Sequence, residues 1–76
     1  MTLNQLKYAI VVSESESFNI AAKKLYISQP SLSTSIHALE EEVGIQIFRR
    51  SQNGIAVTPD GKEFLGYARQ VMEQFE

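Results

Sequence analysis

The chain has 76 residues, 43% of them hydrophobic, which is enough for one small domain that buries a modest fraction of its surface. It contains no cysteine, so disulfide bonds and thiolate metal sites are excluded, and stability must come from packing or self-association. Seven Lys and Arg residues against nine Asp and Glu residues give a formal net charge of −2, which taken alone disfavours a polyanionic partner.

The first predicted element is an amphipathic helix from Asn4 to about Glu14, with Thr2 as its N-cap. The apolar edge is marked by Leu3, Leu6, Ile10 and then Phe18, and it is widened by Ala9 and Val12. A polar break over residues 13–17 ends this helix and separates it from the next one.

A second, short helix is predicted from about Asn19 to Leu25, with either Ser17 or Asn19 as its N-cap. Its inner face comprises Phe18, Ala21, Ala22 and Leu25. Because the two adjacent alanines have small side chains, we expect another helix to approach this face closely. Residues 26–27 connect it to the third helix.

The third predicted helix has two faces of different character. Ser28 suits its N-cap and Pro30 its first turn, and Gly44 favours a helix end after residue 43. The inward residues follow steps of four, three and four and are Leu32, Ile36, Leu39 and Val43. The outward residues are Pro30, Ser33, Thr34, His37 and Glu41. Short polar side chains thus cover the amino-terminal half of the outward face, where the helix dipole attracts anions.

Beyond Gly44 the hydrophobic pattern changes from helical spacing to alternation, which predicts two short strands. Apolar and polar residues alternate before and after the dipeptide Asn53-Gly54, which favours a tight type I′ turn. We therefore predict a hairpin over residues 47–57, which we call the wing. Arg49 and Arg50 lie on its first strand.

A fourth helix is predicted from Pro59 to the end of the chain, with Thr58 as its N-cap and Asp60 in its first turn. It extends roughly 27 Å, longer than a domain of this size needs to cover its own core. Its apolar residues recur at spacings of three and four, which suits a helical partner. We expect a dimer contact through Leu65, Ala68, Met72 and Phe75, and packing of Phe64 on the first helix.

Charge is segregated along the chain. There is no acidic residue over residues 17–39 or over residues 43–59, whereas all nine carboxylates lie outside these two stretches. The cations placed to reach phosphates are Lys23, Lys24, Arg49, Arg50 and Lys62. A protein with one DNA-facing side and one solvated side has this distribution, although chance clustering in a short chain is the alternative.

A short helix, a turn and a longer helix with a polar outer face form a helix-turn-helix, whose second helix enters the major groove of DNA. Many small three-helix domains share this periodicity, so a structural bundle and a protein-binding winged-helix module are the alternatives. The wing with paired arginines favours DNA binding, because a wing can reach phosphates or the minor groove.

Other classes of function find little support. His37 is the only histidine, which excludes a histidine-rich metal site, and no nucleophile is suggested beside it, so we expect neither an enzyme nor a cofactor. The glutamates at positions 40–42 are interpreted as negative surface on a solvated helix end. The apolar runs are too short to cross a bilayer, and no signal core follows Met1, so a cytoplasmic protein without membrane contact is expected.

One combination of motifs is specific. Ser-Gln-Pro-Ser-Leu-Ser at residues 28–33 is set six residues after Ala21-Ala22 and is followed by Leu39-Glu40 and Gly44. Further matching positions include Phe48, Arg50, Thr58 and Gly61. Over essentially the whole chain, this pattern resembles the amino-terminal domain of LysR-type transcription regulators.

The resemblance implies a mainly α fold with a winged helix-turn-helix over residues 1–58 and a linker helix over residues 59–76 that forms a homodimer. It also implies sequence-specific binding of double-stranded promoter DNA, and two-fold pairing of the dimer predicts that the site is palindromic. In the intact regulator, a small-molecule effector would act only through a carboxyl-terminal domain that this sequence lacks.

Carried over by position, the resemblance implies a recognition helix over residues 29–43. The implied DNA contacts are Gln29, Pro30, Ser31, Ser33 and Thr34 on this helix and Arg50 and Asn53 on the wing. His37, on the same outward face, is a further candidate for a phosphate or base contact. We expect Gln29 and Ser33 to read bases. Removal of the Arg50 side chain should weaken binding to all duplexes about equally. Family members frequently have arginine at the position of Thr34 and a basic residue at that of His37, so a weaker phosphate grip or different preferred bases are expected here.

Overall fold

The computed structural model describes residues 1–52 and 54–75, which form four helices and one antiparallel hairpin. The helices are α1 (Leu3–Ser13), α2 (Phe18–Leu25), α3 (Gln29–Val43) and α4 (Pro59–Glu73). The strands β1 (Phe48–Ser51) and β2 (Gly54–Val57) lie between α3 and α4 and pair in one two-stranded sheet. The predicted winged helix-turn-helix architecture is confirmed. No helix in the described part of the chain combines the length and hydropathy needed to span a bilayer.

Each helix begins after a hydroxyl residue whose side chain accepts a backbone N–H from the first turn. The cap residues and the donors they accept from are Thr2 with Gln5, Ser17 with Ile20, Ser28 with Ser31 and Thr58 with Gly61. Of the two candidate caps for α2, Ser17 is the cap and Asn19 lies inside the helix. These bonds satisfy N–H groups that have no partner within the helix, so the caps determine where each helix starts.

The hydrophobic core lies where α1, α2 and α3 meet, and Leu65 of α4 joins it. The inward residues of α3 are buried as predicted, except that Val43 at the helix end is half-buried. The buried residues of α1 are Leu6, Ala9 and Val12, whereas Leu3 is exposed and Ile10 half-buried. The apolar face predicted for α1 therefore lies closer to solvent than the face that the structure buries. Both alanines of α2 are buried, in agreement with close helix packing.

The start of α4 is held against the backbone that leads into β1. The Thr58 N–H donates to the Ile47 carbonyl at 3.0 Å, and the Thr58 hydroxyl donates to the Gln46 carbonyl. Gly61 lies so close that an added Cβ would be 2.3 Å from the Ile47 carbonyl oxygen. This approach is possible only because glycine has no side chain.

The face of α4 that packs on the domain differs from the predicted one. Leu65 and Ala68 are each 2% exposed in the single chain, so the expectation that they contact a second copy is corrected. They follow Gly61 at helical spacing, and the contact of Gly61 with Ile47 turns this face toward the core and α1. Phe64 is partly buried and packs against the core.

The tip of the wing packs near the connection between α1 and α2. The register pairs Ser51 with Gly54, so Gly54 is already a strand position. Its φ of +117° favours glycine, and an added Cβ would lie 2.8 Å from the Glu16 carbonyl oxygen. The type I′ turn predicted at Asn53-Gly54 falls partly on residue 53, outside the described residues.

Two glycines of α4 provide a test of this packing. We expect Gly61→Ala to lower the free energy of unfolding by about 1–3 kcal/mol, because the new methyl group overpacks the Ile47 backbone. Gly66→Ala is the matched control, since nothing lies within 4 Å of its added Cβ, and it should raise stability by about 0.5–1 kcal/mol through helix propensity. Urea unfolding followed by circular dichroism measures both. Equal stabilisation by the two substitutions would contradict the close approach.

Candidate nucleic-acid interface

The amino-terminal half of α3 presents a continuous polar face. Pro30, Ser31, Thr34 and His37 are exposed, and Gln29 and Ser33 are half-buried beside them. The helix starts directly after a short turn in which Tyr26 adopts a left-handed φ of 59° and ends α2. The Ile27 N–H then donates to the Ala22 carbonyl at 3.1 Å. The turn is therefore closed by backbone bonds, which orient the start of α3 relative to α2.

Ser33 is the meeting point of the helix and the wing. Its Oγ accepts a hydrogen bond from Gln29 Nε2 at 2.7 Å, within α3. It accepts another from Arg50 Nη2 at 2.7 Å, across from β1. A serine hydroxyl has two lone pairs and one proton, so these two bonds occupy its acceptor capacity and leave its O–H to donate.

Arg50 stacks on an aromatic ring in addition to its hydrogen bond with Ser33. Its guanidinium carbon lies 3.8 Å from the centroid of the Phe18 ring. Phe18 is buried and meets Phe48 edge to ring, with centroids 6.1 Å apart. Alternation along β1 puts Arg50 on the same face as buried Phe48, and puts exposed Arg49 on the other face. Arg50 is thus tied to α2 through the Phe18 ring and to α3 through Ser33.

Glu40 joins the other end of α3 to the wing. Its Oε2 accepts the N–H groups of Ile47 at 2.7 Å and Phe48 at 3.1 Å, and its side chain is 16% exposed. The interpretation of Glu40 as solvated negative surface is therefore wrong. The sequence carried a usable signal, because Glu40 lies four residues after buried Ile36 and flanks the apolar seam.

The remaining charges surround this arrangement. Glu41 and Glu42 are exposed, and Glu42 pairs with the amino terminus of Met1 at 2.5 Å. Lys23 and Lys24 lie in the last turn of α2, and Lys24 donates to Ser15 at 3.3 Å. Among residues 1–52 and 54–75, no group of three acidic or histidine side chains is placed to hold a metal ion.

A shallow groove separates α3 from the wing. Phe18, Ile36 and Phe48 contribute to its lining, with Thr34 and His37 on the side of α3. Arg50 and Glu41 are also at its edges, so the groove carries positive charge from the wing and negative charge from the carboxyl-terminal half of α3. An anionic ligand would therefore meet less repulsion near the amino-terminal half of α3.

The structure brings most of the predicted site residues into one surface. The exposed residues of α3 and the cluster of Gln29, Ser33 and Arg50 lie together, and Asn53 falls outside the described residues. A helix with a polar outer face, preceded by a tight turn and flanked by a two-stranded wing, defines a winged helix-turn-helix domain.

Comparison with known families agrees with this class. A model described as "Bacterial regulatory helix-turn-helix protein, lysR family" matches residues 3–62. The chain belongs to this LysR family of bacterial regulatory proteins. The resemblance carried by residues 28–33 and the flanking motifs is thereby confirmed.

Individual relatives are similar over nearly the whole chain. The HTH-type transcriptional regulator TfdT of Cupriavidus pinatubonensis is 43% identical over 72 residues, covering 95% of this chain and 32% of that protein. The HTH-type transcriptional regulator BenM of Acinetobacter baylyi is 42% identical over 76 residues, covering 100% and 25%. A crystal structure of a CbnR_DBD-DNA complex has a TM-score of 0.93 at 40% identity and covers 97% of this chain and 85% of that chain. The chain spans about a third or less of the curated relatives' length.

Glu40 and Glu41 are adjacent carboxylates with different surroundings, which allows a matched test. We expect Glu40→Ala to lower the free energy of unfolding by about 1–3 kcal/mol, because two half-buried N–H groups lose their acceptor. Glu41→Ala removes the same charge from an exposed position and should change stability by less than about 0.5 kcal/mol. Thermal and urea unfolding provide the measurement. A loss no larger for Glu40→Ala than for Glu41→Ala would exclude this role.

Proposed function

We propose that this chain binds double-stranded DNA with sequence preference, as the reading domain of a transcription regulator. In this proposal α3 enters the major groove and the wing, residues 47–57, contacts phosphates or the minor groove. The observation that carries it is the polar outer face of the amino-terminal half of α3, held next to the wing through Ser33 and Arg50. The similar CbnR_DBD and BenM_DBD structures are complexes with DNA, which supports the proposal.

The base-reading residues follow from exposure and chemistry. The proposed contacts on α3 are Gln29, Pro30, Ser31, Ser33, Thr34 and His37. Amide and hydroxyl groups match the donors and acceptors on base edges, and the threonine methyl group can contact the thymine methyl group. The exposed Glu41 and Glu42 lie one to two turns further along the helix. The helix should therefore approach DNA with its amino-terminal end.

The phosphate-binding cations are few. Exposed Arg49 on the wing and Lys23 and Lys24 at the end of α2 are the candidates. Because every neutralised phosphate releases counterions, the small number of cations predicts moderate affinity with a shallow dependence on salt. This accounts for a DNA-binding domain with a net charge of −2.

Binding to a site selected from a random duplex pool tests the proposal. If two to four phosphates are neutralised per subunit, log affinity should fall against log salt with a slope of about −2 to −4 per subunit. Arg49→Ala should reduce this slope by about 0.9, whereas Arg69→Ala should leave it unchanged. Arg69 is the control because it lies on α4 beside Glu14 and Ser13. Fluorescence anisotropy at several salt concentrations is the measurement. A pool that yields no enriched sequence, or an affinity independent of salt, would contradict the function.

We further propose that the chain forms a homodimer through α4. Tyr67 and Val71 of α4 are 60% and 40% exposed, and Phe75, two residues beyond the end of the helix, is 66% exposed. The three recur every four residues and form an apolar stripe. Met72, from the earlier expectation, is half-buried at the edge of this stripe. A second copy of the same helix suits the stripe, because paired helices bury such spacings against each other.

Substitutions on α4 distinguish this contact from simple surface exposure. Val71→Glu should weaken self-association at least about tenfold, because a charge in a desolvated helix contact is costly. Gln70→Glu places the same charge on the adjacent exposed residue and should have a much smaller effect. Sedimentation equilibrium of the chain measures both. A monomer at high concentration, or equal effects of the two variants, would show that this stripe does not assemble the domain.

Pairing by a two-fold axis would place two recognition helices on one face of the duplex. Half-sites should then be separated by about one helical turn or a multiple of it, and the preferred site should be a palindrome.

In the longer regulator to which such a domain belongs, a small-molecule effector would act through a separate domain. The proposed place of action is the bacterial cytoplasm, where promoter DNA is found.

A further inference from the structure

We propose that Arg50 determines specificity indirectly: it sets the hydrogen-bonding direction of Ser33 and Gln29 on the base-reading face. This makes Arg50 a positioning residue instead of a phosphate contact. The inference rests on the proposed function, since it concerns how DNA sequence is read. It is carried by the convergence of Gln29 and Arg50 on one hydroxyl and by the stacking of Arg50 on Phe18.

The position of Arg50 is determined by groups that lie behind the recognition face. Its guanidinium covers the Phe18 ring at 3.8 Å, and Phe18 is in turn fixed by its edge contact with Phe48. A planar guanidinium stacks on an aromatic ring and still donates in its own plane, which an ammonium group cannot do. Arg50 can therefore direct one N–H at Ser33 while its flat face stays on the core.

The hydrogen bonds at Ser33 decide what it offers to DNA. Its Oγ accepts from both Gln29 and Arg50 at 2.7 Å, so only the hydroxyl proton remains for a further hydrogen bond. Ser33 should therefore select an acceptor on a base edge, such as a purine N7, guanine O6 or thymine O4. It should discriminate against an edge that presents an amino donor.

Gln29 is oriented by the same hydroxyl. One N–H of its amide donates to Ser33, which leaves its other N–H and its carbonyl oxygen for DNA. A donor beside an acceptor is the pattern that matches the N7 and N6 edge of adenine. The structure thus predicts adenine as the base opposite Gln29, provided that the arrangement around Ser33 is intact.

Loss of Arg50 returns a lone pair to Ser33. The serine can then accept as well as donate, and because Arg50 no longer fixes the Ser33 hydroxyl, the Gln29 amide that donates to it is oriented less firmly. Discrimination should fall at the base positions read by these two residues and remain elsewhere. A lost phosphate contact has a different signature, because it weakens all duplexes about equally and lowers the salt slope by about 0.9.

The test compares duplexes that differ from the selected site by single base pairs. Arg50→Lys keeps the charge, and Phe18→Leu keeps an apolar core residue and leaves every charge in place. Both should lower the preference for the best base, by roughly fivefold to fiftyfold, at the one or two positions where Gln29→Ala and Ser33→Ala also lower it. The salt slope should not change. Arg49→Ala is the matched control, and it should weaken all duplexes alike without altering base preference.

A double-mutant cycle separates indirect from direct reading. If Arg50 acts through Ser33, then Arg50→Lys should cause little further loss of preference in a Ser33→Ala background. Independent effects would show that Arg50 contacts a base itself and would overturn the inference. It would also be overturned if Arg50→Ala reduced the salt slope and left base preference intact.

Folding and function controls keep the outcomes distinct. Circular dichroism establishes whether each variant is folded. If Phe18→Leu unfolds the domain, Arg50→Lys on the exposed strand still tests whether Arg50 sets base preference. A wild-type chain that enriches no sequence would overturn the proposed function, and the inference with it. A wild-type chain with clear base preference that Arg50→Lys leaves unchanged would overturn the inference alone.

Discussion

The backbone around Ile47 is held from both sides, and the placement of the wing depends on this. Its N–H donates to Glu40 of α3, its carbonyl accepts from Thr58 at the start of α4, and its side chain is fully buried. Gly61 permits the close approach of α4 to the same carbonyl. Because buried backbone groups must find partners, these contacts fix the point from which the hairpin projects and the direction in which α4 leaves.

Beyond Ile47, the wing and α3 form one continuous surface. β1 continues from buried Phe48 to Arg50, and the alternation of strand side chains brings the guanidinium over Phe18 and against Ser33. The stacked ring, the arginine and the serine connect α2, the wing and α3. Through these contacts, the position of the buried Phe18 ring sets the position of Arg50 beside the residues proposed to read bases. Arg49 lies exposed on the opposite face of the strand.

The acidic balance of the chain is compatible with membership of the LysR family because the carboxylates have defined places. Glu40 accepts two backbone N–H groups and Glu42 pairs with the amino terminus, and both lie in the last turn of α3, away from its amino-terminal half. The stretch from residue 17 to residue 39 contains no carboxylate at all. Local distribution of charge, more than its sum, decides where a polyanion can approach.

Helix ends and buried helix faces could be predicted from the sequence, because caps, helix breakers and periodicity act over a few residues. Thr2, Ser28, Thr58 and Gly44 marked helix ends correctly, and the steps of Leu32, Ile36 and Leu39 identified the buried face of α3. The motif at residues 28–33 identified the family.

Contacts between distant segments were decided only by the tertiary structure. The sequence could not show that Glu40 accepts from the backbone before β1, that Arg50 lies on Phe18, or that Leu65 and Ala68 face the core instead of a partner. Each depends on how one element is rotated against another. Periodicity defines which residues share a face of an element, but the neighbour of that face is set by packing across the whole domain.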